Sequence, residues 1–250
     1  MSKIPLGLQL YSVRDECEKD LPGTLSKLAD MGYQGVEFAG YYGRSAAELK
    51  KMLAERGLKC CGTHTPWDSI QSPALQATLD FSLALGNPYV VFPWIPEEKR
   101  KTKADWLAVC ELFNQVSAKA EAQGLHFGYH NHSFEFQDFE GEVIWDLIAS
   151  HTDPKVILQL DSGNAAHGGA DDFAYLKKYA SRAVTWHLKE TDPNNKAAVV
   201  GDNPVKWKPY FDVCEAAGKT EWYIVEQENG VEPAMNCVQR CMDNLKKMGK

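Results

Sequence analysis

Apolar residues along this chain come in two alternating textures. Short, nearly unbroken apolar runs occupy positions 6–10, 35–38, 58–63, 89–92, 125–129, 156–161, 183–189 and 222–226. Runs of this length, apolar on both alternating faces, predict strands buried on both sides of a sheet. Between them lie segments with helical spacing. The first spans 21–31, with Leu21, Leu25 and Leu28 on one face and Gly32 as the stop. Ser45 followed by Glu48 writes a capping box for a helix that reaches Arg56 before Gly57. Further helices are predicted over 72–85, 105–123, 141–150, 171–180, 207–218 and 232–248.

Strand and helix therefore alternate through the whole chain in eight units of roughly thirty residues each. Such alternation predicts a parallel sheet, and eight units in 250 residues fit an α/β fold of one closed (β/α)8 barrel over 1–250. An open doubly wound sheet would carry a glycine-rich phosphate loop after its first strand, and Tyr11-Ser12-Val13-Arg14 is not one.

Composition narrows the partners. The net charge is −7, which argues against a nucleic-acid backbone as the main ligand. No apolar run approaches a membrane span, and the first residues hold no signal-peptide core. The cysteines number 7, without a Cys-x-x-Cys pair, and read as reduced core thiols of a cytoplasmic protein. Nothing in the sequence fixes whether the chain forms a homo-oligomer.

The chemistry collects where the strands end. In a parallel barrel every strand C-terminus opens on one face, and that face holds the active site. The strand-end residues are Tyr11 and Arg14, Glu37, His64, Trp94, then His130, His132 and Glu135, then Asp161, His187 with Lys189, and Glu226. Any one of them alone has an ordinary structural explanation. Asp161, His187 and Glu226, however, end three consecutive strands. Carboxylate, imidazole and carboxylate together suit a hard-to-borderline divalent cation: Mn2+ or Mg2+ first, with Co2+, Fe2+ or Zn2+ as alternatives. A fourth ligand is expected from the fifth strand. Around the ion, His64, His132, Lys189 and Arg14 are expected to contact substrate, and Trp94 to form an apolar wall beside it.

The motifs Gly-Tyr-His-Asn-His-Ser-Phe-Glu-Phe, Leu-Asp-Ser-Gly-Asn, Trp-His-Leu-Lys-Glu and Ile-Val-Glu-Gln-Glu resemble the xylose-isomerase-like barrel superfamily, and more closely its sugar phosphate isomerase/epimerase group. The opening Leu-Gly-Leu-Gln-Leu-Tyr-Ser-Val-Arg is similar to one branch of it. The resemblance implies a divalent metal held by Glu, Asp, His and Glu from the fifth to eighth strands. Asp161, His187 and Glu226 match the last three positions. At the first position this chain departs from the pattern, because simple alignment places His130 there and Glu135 follows five residues later. An added carboxylate neutralises the ion better, so Glu135 is the expected ligand and His130 a group within reach of the substrate, with the reverse assignment as the alternative. Relatives with paired glutamates use one to remove a proton and the other to return it. Here that pair becomes Glu226 with His130 or Glu135.

The expected activity is that of a metal-dependent isomerase or epimerase of a small sugar or keto-sugar, working through an enediolate. The alternative is a lyase or dehydratase on a keto-inositol or 3-keto-glycoside, where the same enolate expels a β-substituent. A DNA-repair endonuclease would need a basic groove, and a non-catalytic sugar-binding barrel would have no use for the three ligands.

Overall fold

A computed structural model describes residues 3–228 and 230–250. Eight parallel strands make a nearly closed barrel surrounded by helices: β1 (Leu6–Gln9), β2 (Gly35–Phe38), β3 (Lys59–His64), β4 (Tyr89–Phe92), β5 (His126–His130), β6 (Ile157–Gln159), β7 (Thr185–Leu188) and β8 (Trp222–Val225). β8 pairs with β1, Leu6 opposite Tyr223, so the last strand closes on the first. The seam lies between β6 and β7. There the pairing shrinks to one bridge, Asp161 with His187, and the His187 amide donates to the Leu160 carbonyl at 2.9 Å.

The helices follow the predicted order: α1 (Arg14–Met31), α2 (Ala46–Ala54), α3 (Ala74–Leu85), α4 (Lys103–Glu121), α5 (Ile144–His151), α6 (Ser162–His167), α7 (Asp172–Tyr179), α8 (Pro204–Ala217) and α9 (Ala234–Lys247). The Ser45–Glu48 capping box is formed at the start of α2. Three departures from the expected boundaries have local causes. α1 begins at Arg14 rather than Leu21, because Asp20 leaves helical geometry and its carboxylate caps Gly23 N at 2.9 Å, restarting the helix with Pro22 in its first turn. α5 begins at Ile144, since Glu142–Val143 pair instead with Asp138–Phe139 in a small antiparallel ladder. The segment after Asp161 is not a plain loop. Asp161 Oδ1 accepts from Asn164 N at 2.6 Å and nucleates α6.

The barrel interior changes character along its axis. Its lower part is an apolar plug of Cys61, Tyr89, Val91, Ile157, Trp222 and Ile224, separate from the larger core between sheet and helices. Gly35 makes room for it, because a Cβ there would come within 2.8 Å of the Trp222 ring. Toward the strand C-termini the buried side chains turn polar: Gln9, Glu37, His130, Gln159, Thr185 and His187. Burying that many polar groups is tolerable only if they satisfy one another, which directs attention to the upper layer. Among the described residues, no helix is long and apolar enough to cross a membrane.

Candidate active site

Each strand end delivers its side chain for a local reason. β5 alternates, so Tyr129 points outward among Phe113 and Trp145 while His130 points into the barrel. Asn131, the next residue, ties the strand end down: its side chain accepts from Asp161 N at 2.7 Å and donates to the Asp161 carbonyl at 3.2 Å. That pins Asp161, whose Oδ1 is spent on capping α6. Asp161 Oδ2 is left buried without a hydrogen-bond partner, and so is His187 Nδ1. Glu226 Oε2 lies 3.1 Å from that nitrogen but outside hydrogen-bonding direction, and Glu226 Oε1 accepts from Lys189 Nζ at 2.9 Å. Gly163 gives Lys189 its berth, since a Cβ there would sit 2.7 Å from the lysine Cγ.

His130, Asp161, His187 and Glu226 thus bring four ligand atoms within 4.8 Å of one another, all buried. Neither Asp161 Oδ2 nor His187 Nδ1 has a hydrogen bond, and His187 Nδ1 lies within ion-pair distance of both carboxylates, so a cation seated among the three would satisfy all of them. An N2O2 donor set of this kind could hold one divalent ion. The residues present therefore fit the metal expected from the strand-end pattern.

The electrostatics follow the same geometry. Burial opposes a charge on His187, but Glu37 and Glu226 on either side push its imidazole from an ordinary 6.5 up to about 10. Burial and the neighbouring Glu226 raise Asp161 to about 6, against the pull of Lys189 and His187. Glu226 itself, despite burial, is held well below the usual carboxylate range by Lys189 and His187. His130 is driven down by burial and by His187 and His64, and burial takes His132 to about 4. With no cation bound, His187 carries a proton at neutral pH that an ion must displace. Cation uptake at pH 7.5 should therefore release about one proton per ion. Titration calorimetry in buffers of different ionisation heat measures this, and a binding heat independent of buffer would contradict it.

The other expected residues divide into groups. His64 does reach the cluster; its Nε2 donates to Gln159 Oε1 at 2.9 Å and lies 3.1 Å from Glu37. His132 is half-buried and meets the half-exposed Trp94 edge-on, 4.9 Å between ring centres, with Phe134 beside both and the Arg100 guanidinium stacked on Phe134. This is an aromatic flank at the β4–β5 side of the mouth. Lys189 pairs with Glu226, while its neighbour Glu190 accepts from Lys206 and from Trp207 Nε1. Arg14 lies at the rim, half-buried, bonded to Glu228 and to the Tyr11 carbonyl rather than to the four-residue group.

Glu135 is placed differently from the expectation. Its carboxylate turns back behind β5, to the outer side, where it accepts from Tyr129 Oη and from His132 N at 2.9 Å. The four-residue group contains His130 instead. The reason is the tight turn Phe134–Phe136 after the strand, which returns the chain toward the outward-facing Tyr129. Burial raises Glu135 from 4.5 to about 7. A carboxyl whose folded pKa lies above its unfolded value stabilises the fold below pH 4.5 and loses that contribution as pH rises through 7, a term of about 3 kcal/mol. Glu135→Gln mimics the protonated form. Its melting temperature relative to the parent should therefore climb between pH 5 and pH 8; a difference constant with pH would refute the burial argument.

Two residues of the upper layer were given no role from sequence. Glu37, fully buried, accepts from His187 Nε2 at 2.6 Å, Gln9 Nε2 at 2.7 Å and Gln159 Nε2 at 2.9 Å. Gln159 accepts in turn from His64 and from His130 Nδ1 at 3.0 Å. The available signal was a polar residue interrupting an apolar strand on its inward-facing parity, Val36-Glu37-Phe38 and Leu158-Gln159-Leu160.

The fold is a parallel (β/α)8 barrel with carboxylates and histidines gathered at the C-terminal ends of β5 to β8, a group that could hold a metal ion. The sequence matches the family described as xylose isomerase-like TIM barrel over residues 25–248, and the chain belongs to that family. A sugar phosphate isomerase/epimerase from Parabacteroides distasonis is 30% identical, with a TM-score of 0.83 and 98% of both chains covered. A second protein of that description from the same organism is 24% identical at a TM-score of 0.82, covering 98% of this chain and 97% of its own. The inosose dehydratase of Geobacillus thermodenitrificans is 25% identical over 94% of this chain and 92% of its own length.

Proposed function

We propose that this protein is a divalent-metal-dependent enzyme that enolises a keto-sugar or keto-cyclitol and lets the enolate expel a β-substituent, a lyase reaction. The observation that carries the reading is the four-residue group, in which Asp161 Oδ2 and His187 Nδ1 are buried without a hydrogen bond and the Glu226 carboxylate is held by Lys189. When bound, the ion would supply Lewis-acid polarisation of the substrate carbonyl and offset the charge of the enolate. His130, Asp161, His187 and Glu226 would hold it. Glu226, kept ionised by Lys189, takes the proton from the carbon next to the carbonyl. The Lys189 ammonium then faces the growing negative charge. His64 borders the mouth and can protonate a departing oxygen, while the neutral His132 lies on the aromatic flank. Trp94 and Phe134 shield one side from water.

Moving a proton from one face of a carbon to the other needs a second base opposite the first. Glu135 is turned away from the mouth, so it does not supply that second base, whereas elimination needs one base and one acid. The inosose dehydratase relative supports this outcome. An isomerase or epimerase is the second reading, with His130 as the returning group, and is favoured by the 30% identical Parabacteroides protein.

Lys189→Ala tests the lysine's part. Metal content should be unchanged and kcat/KM should fall about 10²-fold; loss of the metal instead would move Lys189 from substrate to metal support. The reaction itself is tested by NMR in D2O, with the Mg2+-loaded protein and a panel of keto-inositols, keto-sugars and 3-keto-glycosides. Deuterium exchange with loss of a β-substituent supports the lyase. Deuterium retained in an epimer or isomer supports the second reading. Absence of exchange throughout the panel would sink enolisation.

A further inference from the structure

Glu37 lies on β2, across the barrel from every group assigned to the metal, yet its buried carboxylate takes three hydrogen bonds from the upper layer. Its Oε2 accepts from Gln9 and from His187 Nε2, and its Oε1 accepts from Gln159 Nε2. An imidazole has two ring nitrogens. The partner of one decides which of them carries the proton and which presents a lone pair. A carboxylate can only accept, so His187 Nε2 must carry a proton and Nδ1 is the nitrogen turned toward Asp161 and Glu226.

The same carboxylate also orients Gln159. An amide oxygen cannot face Glu37 Oε1, so Gln159 directs its NH2 at Glu37 and at Thr185 Oγ1, 2.9 Å away, and its Oε1 at the histidines. That oxygen accepts from His130 Nδ1 at 3.0 Å, which leaves Nε2 as the nitrogen His130 can offer an ion. It also accepts from His64 Nε2. One buried acceptor thus fixes the proton positions of both histidines of the four-residue group, one directly and one through an amide.

The fold is shaped to admit this carboxylate. The β2–β3 register slips between Val36 and Glu37, from Cys60 to Gly62, and brings Gly62 against the glutamate. A Cβ at Gly62 would come within 2.3 Å of Glu37 Oε1 and 3.0 Å of its Cδ.

Resting on the metal reading above, we infer that Glu37 is the positioning residue of this centre: seated by the β3 bulge and Gly62, it sets the tautomer of His187 directly and of His130 through Gln159, and so aims both at the ion.

Two readouts test this, Mn2+ affinity by titration and the ring 15N spectra of His187 and His130 in the metal-free protein. In the metal-free parent, His130 should be protonated at Nδ1 alone, and His187 at Nε2 toward Glu37 together with the Nδ1 proton that metal uptake displaces. Glu37→Gln removes the charge while keeping the shape. It should weaken Mn2+ binding about 10–100-fold and shift the ring nitrogens of both histidines. Gly62→Ala, which alters no ligand, should push the carboxylate aside and do the same in smaller measure. Shortening the acid in the Gly62→Ala/Glu37→Asp double variant should recover part of the affinity. Gln159→Leu should disturb the His130 signals and leave His187 bonded to Glu37. If Glu37→Gln fails to fold, Gly62→Ala and its rescue carry both readouts. Unchanged affinity overturns the inference, and so does weakened binding with unchanged ring spectra, which would reduce Glu37 to a distant charge. If the parent binds no Mn2+, the metal reading fails by itself, and the ring spectra still decide whether Glu37 sets the two tautomers.

Discussion

Glu226→Gln should lower kcat about 10²–10⁴-fold, the range expected for losing a positioned general base. Glutamine preserves the shape that Lys189 holds at 2.9 Å, so the substrate pocket should survive and KM should move far less than kcat. Because Glu226 also belongs to the four-residue group, the variant should bind Mn2+ or Mg2+ more weakly. The assay is therefore run at cation concentrations that saturate the variant, with its metal content measured alongside. A kcat within tenfold of the parent under those conditions would show that the proton is taken by another group. His132, the neutral imidazole nearest the aromatic flank, would then be the next candidate.

The strands were legible in the sequence because a parallel barrel buries both faces of each strand, which forces apolar runs such as 89–92 and 222–226 whatever the neighbours are. Helix starts were legible where the capping chemistry is local, as at Ser45 and Glu48. The early start of α1 was not, since residues 14–20 are mostly polar and sit on the rim, where periodicity carries little signal. In the site, Asp161, His187 and Glu226 could be named because each directly follows or ends an apolar run, and the fold then brings the run ends together. Glu37 lacked that signal. It too sits near a strand end, but its role depends on His187, 150 residues away, and on Gln159, 122 residues away. Such a cross-barrel network has no trace in the spacing of either strand. Glu135 shows the opposite case. Charge counting favoured it as a ligand, but the side of β5 on which a carboxylate five residues beyond His130 emerges is set by the turn at 134–136, which the local sequence does not specify.

The fifth-strand position is where replacement should separate two neighbouring residues most sharply. His130→Gln removes a ligand of the four-residue group and leaves Gln159 Oε1 with one fewer donor. It should cost at least about tenfold in Mn2+ affinity and with it nearly all turnover at limiting metal. Glu135→Gln should keep parental metal affinity and stoichiometry, because its carboxylate is engaged by Tyr129 and by His132 N on the outer side of the strand. Its effect should instead appear in the pH dependence of melting and in the placement of His132, whose backbone it anchors. Metal analysis after chelation and reloading reads both variants directly. Release of the ion by Glu135→Gln, with retention by His130→Gln, would mean that the turn at 134–136 swings inward when metal binds. The site would then be the Glu-Asp-His-Glu set that the family resemblance first implied. Loss in both would place Glu135 as a support of the His130 strand end. Loss in His130→Gln alone is the expected result, and it would make this barrel one in which a histidine stands where the family resemblance implies a carboxylate. An ion held by two imidazoles and two carboxylates carries one more net positive charge than one held by three carboxylates and one imidazole. That extra charge favours stabilising an enolate over shuttling a proton between paired glutamates.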